Sequence, residues 1–177
     1  MPARNRKSME RESEAEPVDL LILLRHAHRE IKLLLKEMED ILDLPAAIFE
    51  LYPRIQVALQ AHDAGEKYCL YAAMRDIPEF SDLLTMAESE HAEIDRMLDV
   101  LNHTPFRKQQ LDSPEWKHKF RELHRKVLDH LSREEGEIFP LLQTLLAQSR
   151  LDALGDRYKR GLKGELGPPP ARSEVIA

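Results

Sequence analysis

A chain of 177 residues, 42% hydrophobic and 33% charged, is long enough for one domain with a substantial core and too short for two comfortable ones. Its 32 acidic against 26 basic groups give a formal charge of -6 with no obviously basic face, so the attraction that nucleic acid or an anionic bilayer exploits is not encoded. A single cysteine, Cys69, excludes an internal disulfide and a thiolate-only metal site, and no apolar run approaches the roughly 20 residues that cross a bilayer; a cytoplasmic protein with neither nucleic acid nor membrane as partner is expected.

Residues 1–16 are charged throughout with no apolar targeting stretch, and residues 166–177 combine a proline run with small and polar side chains; both ends are expected to be disordered, leaving one helical domain over 17–165. The first predicted helix starts at Pro17 and runs to about Leu42, before Pro45, along the seam Leu21, Leu24, His28, Ile31, Leu35, Met38. A second runs from Pro53 to about Met74, after a short helical segment from Ala46, with Ile55, Leu59, His62, Glu66, Cys69 and Ala73 in line. The third covers about Phe80 to His103 through Leu84, Ala87, His91, Ile94, Leu98 and Leu101. A fourth begins at Ser113 and Pro114, a cap followed by a first-turn proline, and carries Phe120, Leu123, Val127, His130, Glu134, Ile138 and Leu141. Pro140 cannot bond to the Gly136 carbonyl, so a kink is expected there. A last amphipathic stretch, Leu151 to Leu162, packs outside as a fifth helix in this reading. The fold class is therefore all-α: an antiparallel up-down-up-down four-helix bundle with a short additional C-terminal helix.

The chain also repeats itself. His28 opens HREIKLLL and His91 opens HAEIDRML; further on, His62 opens HDAGEKYCLY and His130 opens HLSREEGEIF, which align as HxxxE followed by an apolar residue and an aromatic ring. The unit is a histidine, then HxxxE, used twice. Packing alone would have kept aliphatic residues at these positions, because an uncompensated carboxylate in an apolar interior costs on the order of several kcal/mol. On a helix a residue four further on lies roughly 40° around and about 6 Å along the axis, so His62 with Glu66, and His130 with Glu134, reach one centre side by side. Six ligands are too many for one tetrahedral ion and suit two ions, and mixed imidazole and carboxylate ligation suits iron first, with zinc, manganese or copper as other candidates.

The pattern H, HxxxE, H, HxxxE, with LY and IFP after its two HxxxE motifs, resembles the hemerythrin-like, or HHE cation-binding, family over about Leu20 to Leu146. The resemblance implies that His28, His62, Glu66, His91, His130 and Glu134 ligate two iron ions, bridged by both glutamates and by an oxo or hydroxo group. It implies as well a small diatomic ligand, O2 or NO, at the metal, in a protein that binds or senses that ligand or its redox state. The family's oxygen carriers place a fifth histidine one turn after the third, where this chain has Asp95, which weighs against reversible oxygen storage. Some members use the acid directly after the second histidine as a ligand, and Asp63 stands there. A di-iron enzyme acting on peroxide or NO, or repairing iron centres, is the second reading, and an interaction module held together by structural metal is the third. No residue names a protein partner.

The other side chains read plainly. His26 and His124 point away from the ligand stripe and, with His103 and His118, belong to the surface; Glu30 and Glu93 are solvated. Regular helix geometry puts Tyr71 and Phe139 about half a turn from the ligands, packing between helix ends. Cys69 reads as a small buried hydrophobe, and Asp95 and Glu135 as candidates to orient histidine N–H groups.

Overall fold

The computed structural model describes residues 18–103 and 113–165, and these contain helices and no strand. The segments 1–16 and 166–177, expected to be disordered, and the loop around Pro105 lie outside the described residues.

Helix α1 spans Leu20–Asp40. It begins later than Pro17 because Asp19 caps it: the carboxylate accepts the backbone N–H of Leu21 at 2.6 Å and of Ile22 at 3.1 Å, two donors a helix start otherwise leaves unpaired. Helix α2, Pro45–Tyr68, corrects the expected break. Pro45 opens the helix in the first turn, where a missing N–H costs nothing, and Pro53 lies inside it. An interior proline costs about 3 kcal/mol, and buried Ile48, Leu51, Tyr52 and Ile55 on both sides of it anchor the helix against that loss.

After α2 the backbone N–H of Cys69 reaches back to the carbonyls of both Gly65 (3.1 Å) and Glu66 (3.2 Å), and a short α3, Leu70–Arg75, follows. A 3₁₀ turn at Pro78–Phe80 leads into α4, Ser81–His103. Helix α5, Pro114–Arg133, starts as expected, with Ser113 Oγ accepting the N–H of Trp116 at 3.1 Å. The anticipated distortion ahead of Pro140 takes the form of a π turn over Glu134–Ile138, in which the N–H of Phe139 bonds the Glu134 carbonyl; α6, Phe139–Leu145, and α7, Gln148–Leu162, complete the chain.

The apolar residues form two clusters. One holds Ile31, Leu35, Leu59, Ile94, Trp116, Phe120 and Val127; the other holds Leu24, Cys69, Tyr71, Ala87, Ile138, Phe139 and Tyr158. Each histidine-bearing helix passes from one cluster to the other, and each carries its histidine at the crossing: Leu24 to His28 to Ile31, Leu59 to His62 to Cys69, Ala87 to His91 to Ile94, Val127 to His130 to Ile138. The polar residues are therefore a layer between two hydrophobic halves of a helical bundle. Helix α7 packs on α1 and α2. A Cβ at Gly65 would strike the Tyr158 ring, and one at Gly155 would strike the carbonyl of Val18, so both close approaches need glycine.

Candidate metal centre

The structure brings all six sequence-selected residues together. His62, Glu66, His91 and His130 form one group, and His28, His62, Glu66 and Glu134 a second; within each, one ligand atom per residue lies within 4.8 Å of the others. His62 and Glu66 belong to both. All six side chains are at most 5% exposed. Glu66 Oε2 lies 3.2 Å from His91 Nε2 and Oε1 lies 3.5 Å from His62 Nε2, while Glu134 places Oε2 3.2 Å from His28 Nε2 and Oε1 3.5 Å from His130 Nε2. Each glutamate thus spans two histidines, the arrangement a bridging carboxylate needs.

The donor set fits cations. Both oxygens of Glu66, both of Glu134, both nitrogens of His62 and Nε2 of His28 are buried without a hydrogen-bond partner, and groups in that state ordinarily cost free energy unless something compensates them. The Nε2 atoms of His91 and His130 face each other at 2.7 Å. Each of these rings has its Nδ1 beside a carboxylate, which can only accept, so in the neutral rings both Nε2 atoms present lone pairs to each other. A cation or a proton between them removes the conflict.

Without a cation, protons do so. Burial opposes charge on His91, but the neighbouring carboxylates of Asp63 and Glu66 outweigh it and push the ring up to about 9. Burial takes His62 down to about 3 and His130 to about 4, and it lowers His28 as well. For Glu66 the surrounding imidazoles, His62 first, overcome burial and hold the carboxyl well below its usual range; burial and the charge of Glu66 push Glu134 far above it. Of the two carboxyls Glu66 is the more readily ionised, as expected where like groups share one site.

A family model described as the hemerythrin HHE cation binding domain matches residues 19–142, the stretch that carries every one of these side chains. The chain belongs to this family. A DNA nickase of Nostoc sp. (strain PCC 7120 / SAG 25.82 / UTEX 2576) is 24% identical over 148 residues, covering 83% of this chain and 40% of the nickase. The chain therefore spans well under half the length of that relative, and nicking is an attribute of the longer protein.

Around the six residues of this HHE domain lies a layer of carboxylates that the sequence pattern reveals only in part. His28 Nδ1 donates to Glu135 at 2.8 Å, and Lys32 holds the same oxygen at 2.9 Å. His130 Nδ1 donates to Glu90 at 3.1 Å, and Arg133 holds Glu90. His91 Nδ1 donates to Asp63, whose other oxygen takes Lys67 at 2.6 Å. Asp63 is thus in neither ligand group; it orients a ligand from the neighbouring helix. Glu135 does what was expected of it, Glu90 was missed, and Asp95 is exposed at the rim of a small cavity. Each clamp fixes the tautomer that turns an Nε2 lone pair inward. Asp63→Asn is accordingly expected to weaken Zn²⁺ binding about tenfold in a chelator-competition titration, whereas unchanged affinity would mean that the clamp is incidental.

The remaining histidines stand apart. His26, His103 and His118 are exposed, and His124 donates to Glu39 at 3.1 Å. Tyr71 and Phe139, however, are not spacers between helix ends. The Phe139 ring stacks on His28 with centroids 5.4 Å apart, and the Tyr71 ring lies 5.5 Å from that of His91. On the opposite side a cavity of about 20 Å³ reaches His62, His91 and His130 between Leu59, Ile94, Leu98, Val127 and Leu131. That volume admits one water-sized or diatomic molecule. A larger surface groove of about 500 Å³ between α4 and α5, lined by Arg96, Met97 and Lys126 among others, touches none of the six.

Proposed function

We propose that this HHE-domain protein holds a pair of iron ions with His28, His62, Glu66, His91, His130 and Glu134, both glutamates bridging, and that it binds or senses a small diatomic ligand, O2 or NO. The observation that carries the reading is the set of buried, unpartnered nitrogen and oxygen atoms aimed at two overlapping centres, with a diatomic-sized cavity ending on three of the imidazoles. Iron, when bound, supplies open coordination positions and a one-electron redox couple per ion. The protein supplies tautomer-locked imidazoles, bridging carboxylates, an apolar entry and exclusion of bulk water. A cavity of this size favours diatomics over any larger substrate.

The finer architecture belongs to the same proposal. The order in which α1, α2, α4 and α5 run between the two apolar clusters alternates, and α1 packs on α2 and α5 while α4 packs on α5; this supports an up-down-up-down bundle with α7 outside, over residues 17–165. No helix among the described residues is long and apolar enough to cross a membrane, and a reducing cytoplasmic setting suits a lone buried thiol.

Aerobic loading with Fe²⁺, followed by metal analysis and optical titration with azide and NO, tests the reading. About two irons per chain with ligand-dependent charge-transfer bands are expected; turnover of peroxide would move the assignment to the enzyme reading, and a spectrum that no ligand alters would leave the metal a structural role.

A further inference from the structure

Tyr71 is fully buried, and its hydroxyl has no hydrogen-bond partner. A buried hydroxyl left unpaired costs free energy that phenylalanine would avoid, and the second repeat of the chain shows phenylalanine in that place. Tyr71 stands five residues after Glu66, and its counterpart, five after Glu134, is Phe139. Both rings do the same packing across the pseudo-twofold: Tyr71 of the first repeat lies against His91 of the second, and Phe139 of the second stacks on His28 of the first. One ring carries a hydroxyl and the other does not, so packing does not account for it. Nor is an unpartnered donor enough by itself to mark a site. Trp116 Nε1 is in the same state, but its ring is stacked on Phe120 and edge-on to Tyr52 within the other apolar cluster. Tyr71 differs in its surroundings: its ring lies 5.5 Å from that of His91, beside the layer of imidazoles and carboxylates, and its phenol is a donor.

Resting on the proposed iron pair, we infer that the Tyr71 hydroxyl is a binding group for a small anion held at the centre, to which it donates a hydrogen bond from the side of the cluster opposite the cavity. An anion is the class of ligand that the charge of bound cations would draw in, and it would supply the acceptor that the Tyr71 hydroxyl lacks. In the second repeat Phe139 leaves the corresponding side without a donor, so the centre would be asymmetric towards such a ligand.

The test uses the full chain loaded with iron, as wild type and as Tyr71→Phe, with azide as the probe and affinity and charge-transfer band position as readouts. Tyr71→Phe is expected to keep the iron content and to weaken azide about tenfold, with a shifted band. Azide bound equally well with an unchanged band would overturn this inference alone. Loss of iron from the variant would also overturn it, since Tyr71 would then serve the metal and not the anion. If iron-loaded wild type binds no azide at all, the proposed ligand-binding function fails together with it.

Discussion

Replacing His62 by alanine is expected to deprive the protein of about one of its two bound metal ions. His62 is the one imidazole common to both ligand groups; His28 belongs to one, and His91 and His130 to the other. Removing His28 leaves a complete group of His62, Glu66, His91 and His130, so about one ion per chain should remain against about two in the wild type, four ligands being enough to hold one. His62 Nε2 has one lone pair and can serve one of the two ions, and whichever group it serves is left with three residues when it is removed. His62 is also the histidine without a carboxylate clamp, both its nitrogens being unpaired, so its position in the metal-free protein depends on packing alone. His124, paired with Glu39 outside the cluster, is the control and should leave metal content untouched. Metal analysis after gel filtration decides the matter: a full complement of metal in His62→Ala would mean that His62 is not a ligand.

A second large effect is the pH dependence of metal uptake. Four ordinary imidazoles would release metal as the pH falls through roughly 5 to 6. The structure replaces that expectation. His62 and His130, brought down to about 3 and about 4 by burial, are already neutral at pH 7 and offer a metal no proton competition there. His91, at about 9, still carries at pH 7 a proton that a cation must displace, and burial and the charge of Glu66 shift Glu134 in the same direction. Raising the pH removes this competing proton, so affinity climbs through neutrality towards pH 9. Loading with Zn²⁺ at pH 7 should release about one proton per chain from His91, measured by pH-stat titration. In the metal-free protein the same His91 shift stabilises the fold fully below about 6.5 and is lost as the pH rises through 9, whereas the loaded protein has no such loss. Metal uptake that releases no proton at pH 7 would contradict a protonated His91 that serves as a ligand.

The ligand stripe is legible in the sequence because it is duplicated, and because histidine and glutamate on a buried seam are costly unless a cation compensates them. Of the carboxylate clamps only Glu135 is legible, for a geometric reason. Asp63, Glu90 and Glu135 each stand next to a ligand in sequence, so on their own helices they point about 100° away from it, towards whichever helix packs beside them. Asp63 follows His62 yet serves His91, and Glu90 precedes His91 yet serves His130. That choice belongs to the packing and is invisible to a helical projection of one segment.

Tyr71 and Phe139 escape sequence reasoning for a related reason, since a uniform helix puts a residue five positions after a ligand well off its face. Neither helix is uniform at that point. The π turn over Glu134–Ile138 brings residue 139 nearly over residue 134, and the irregular turn at Cys69 stands between Glu66 and Tyr71. Pro140 announces the first distortion without revealing its form, and nothing local announces the second. Pro53 misleads in the other direction: its local signal for a helix start is overruled by the buried residues on both sides of it.

If two cations occupy the layer between the apolar clusters, crystals of the iron-loaded protein measured at the iron absorption edge will locate them in an anomalous difference map. Two peaks are predicted within this layer, one on the side of His91 and His130 and one on the side of His28, with Glu66 and Glu134 between them. A fully loaded crystal with a single peak, or with peaks elsewhere and the six side chains closed on one another, would contradict the paired centre.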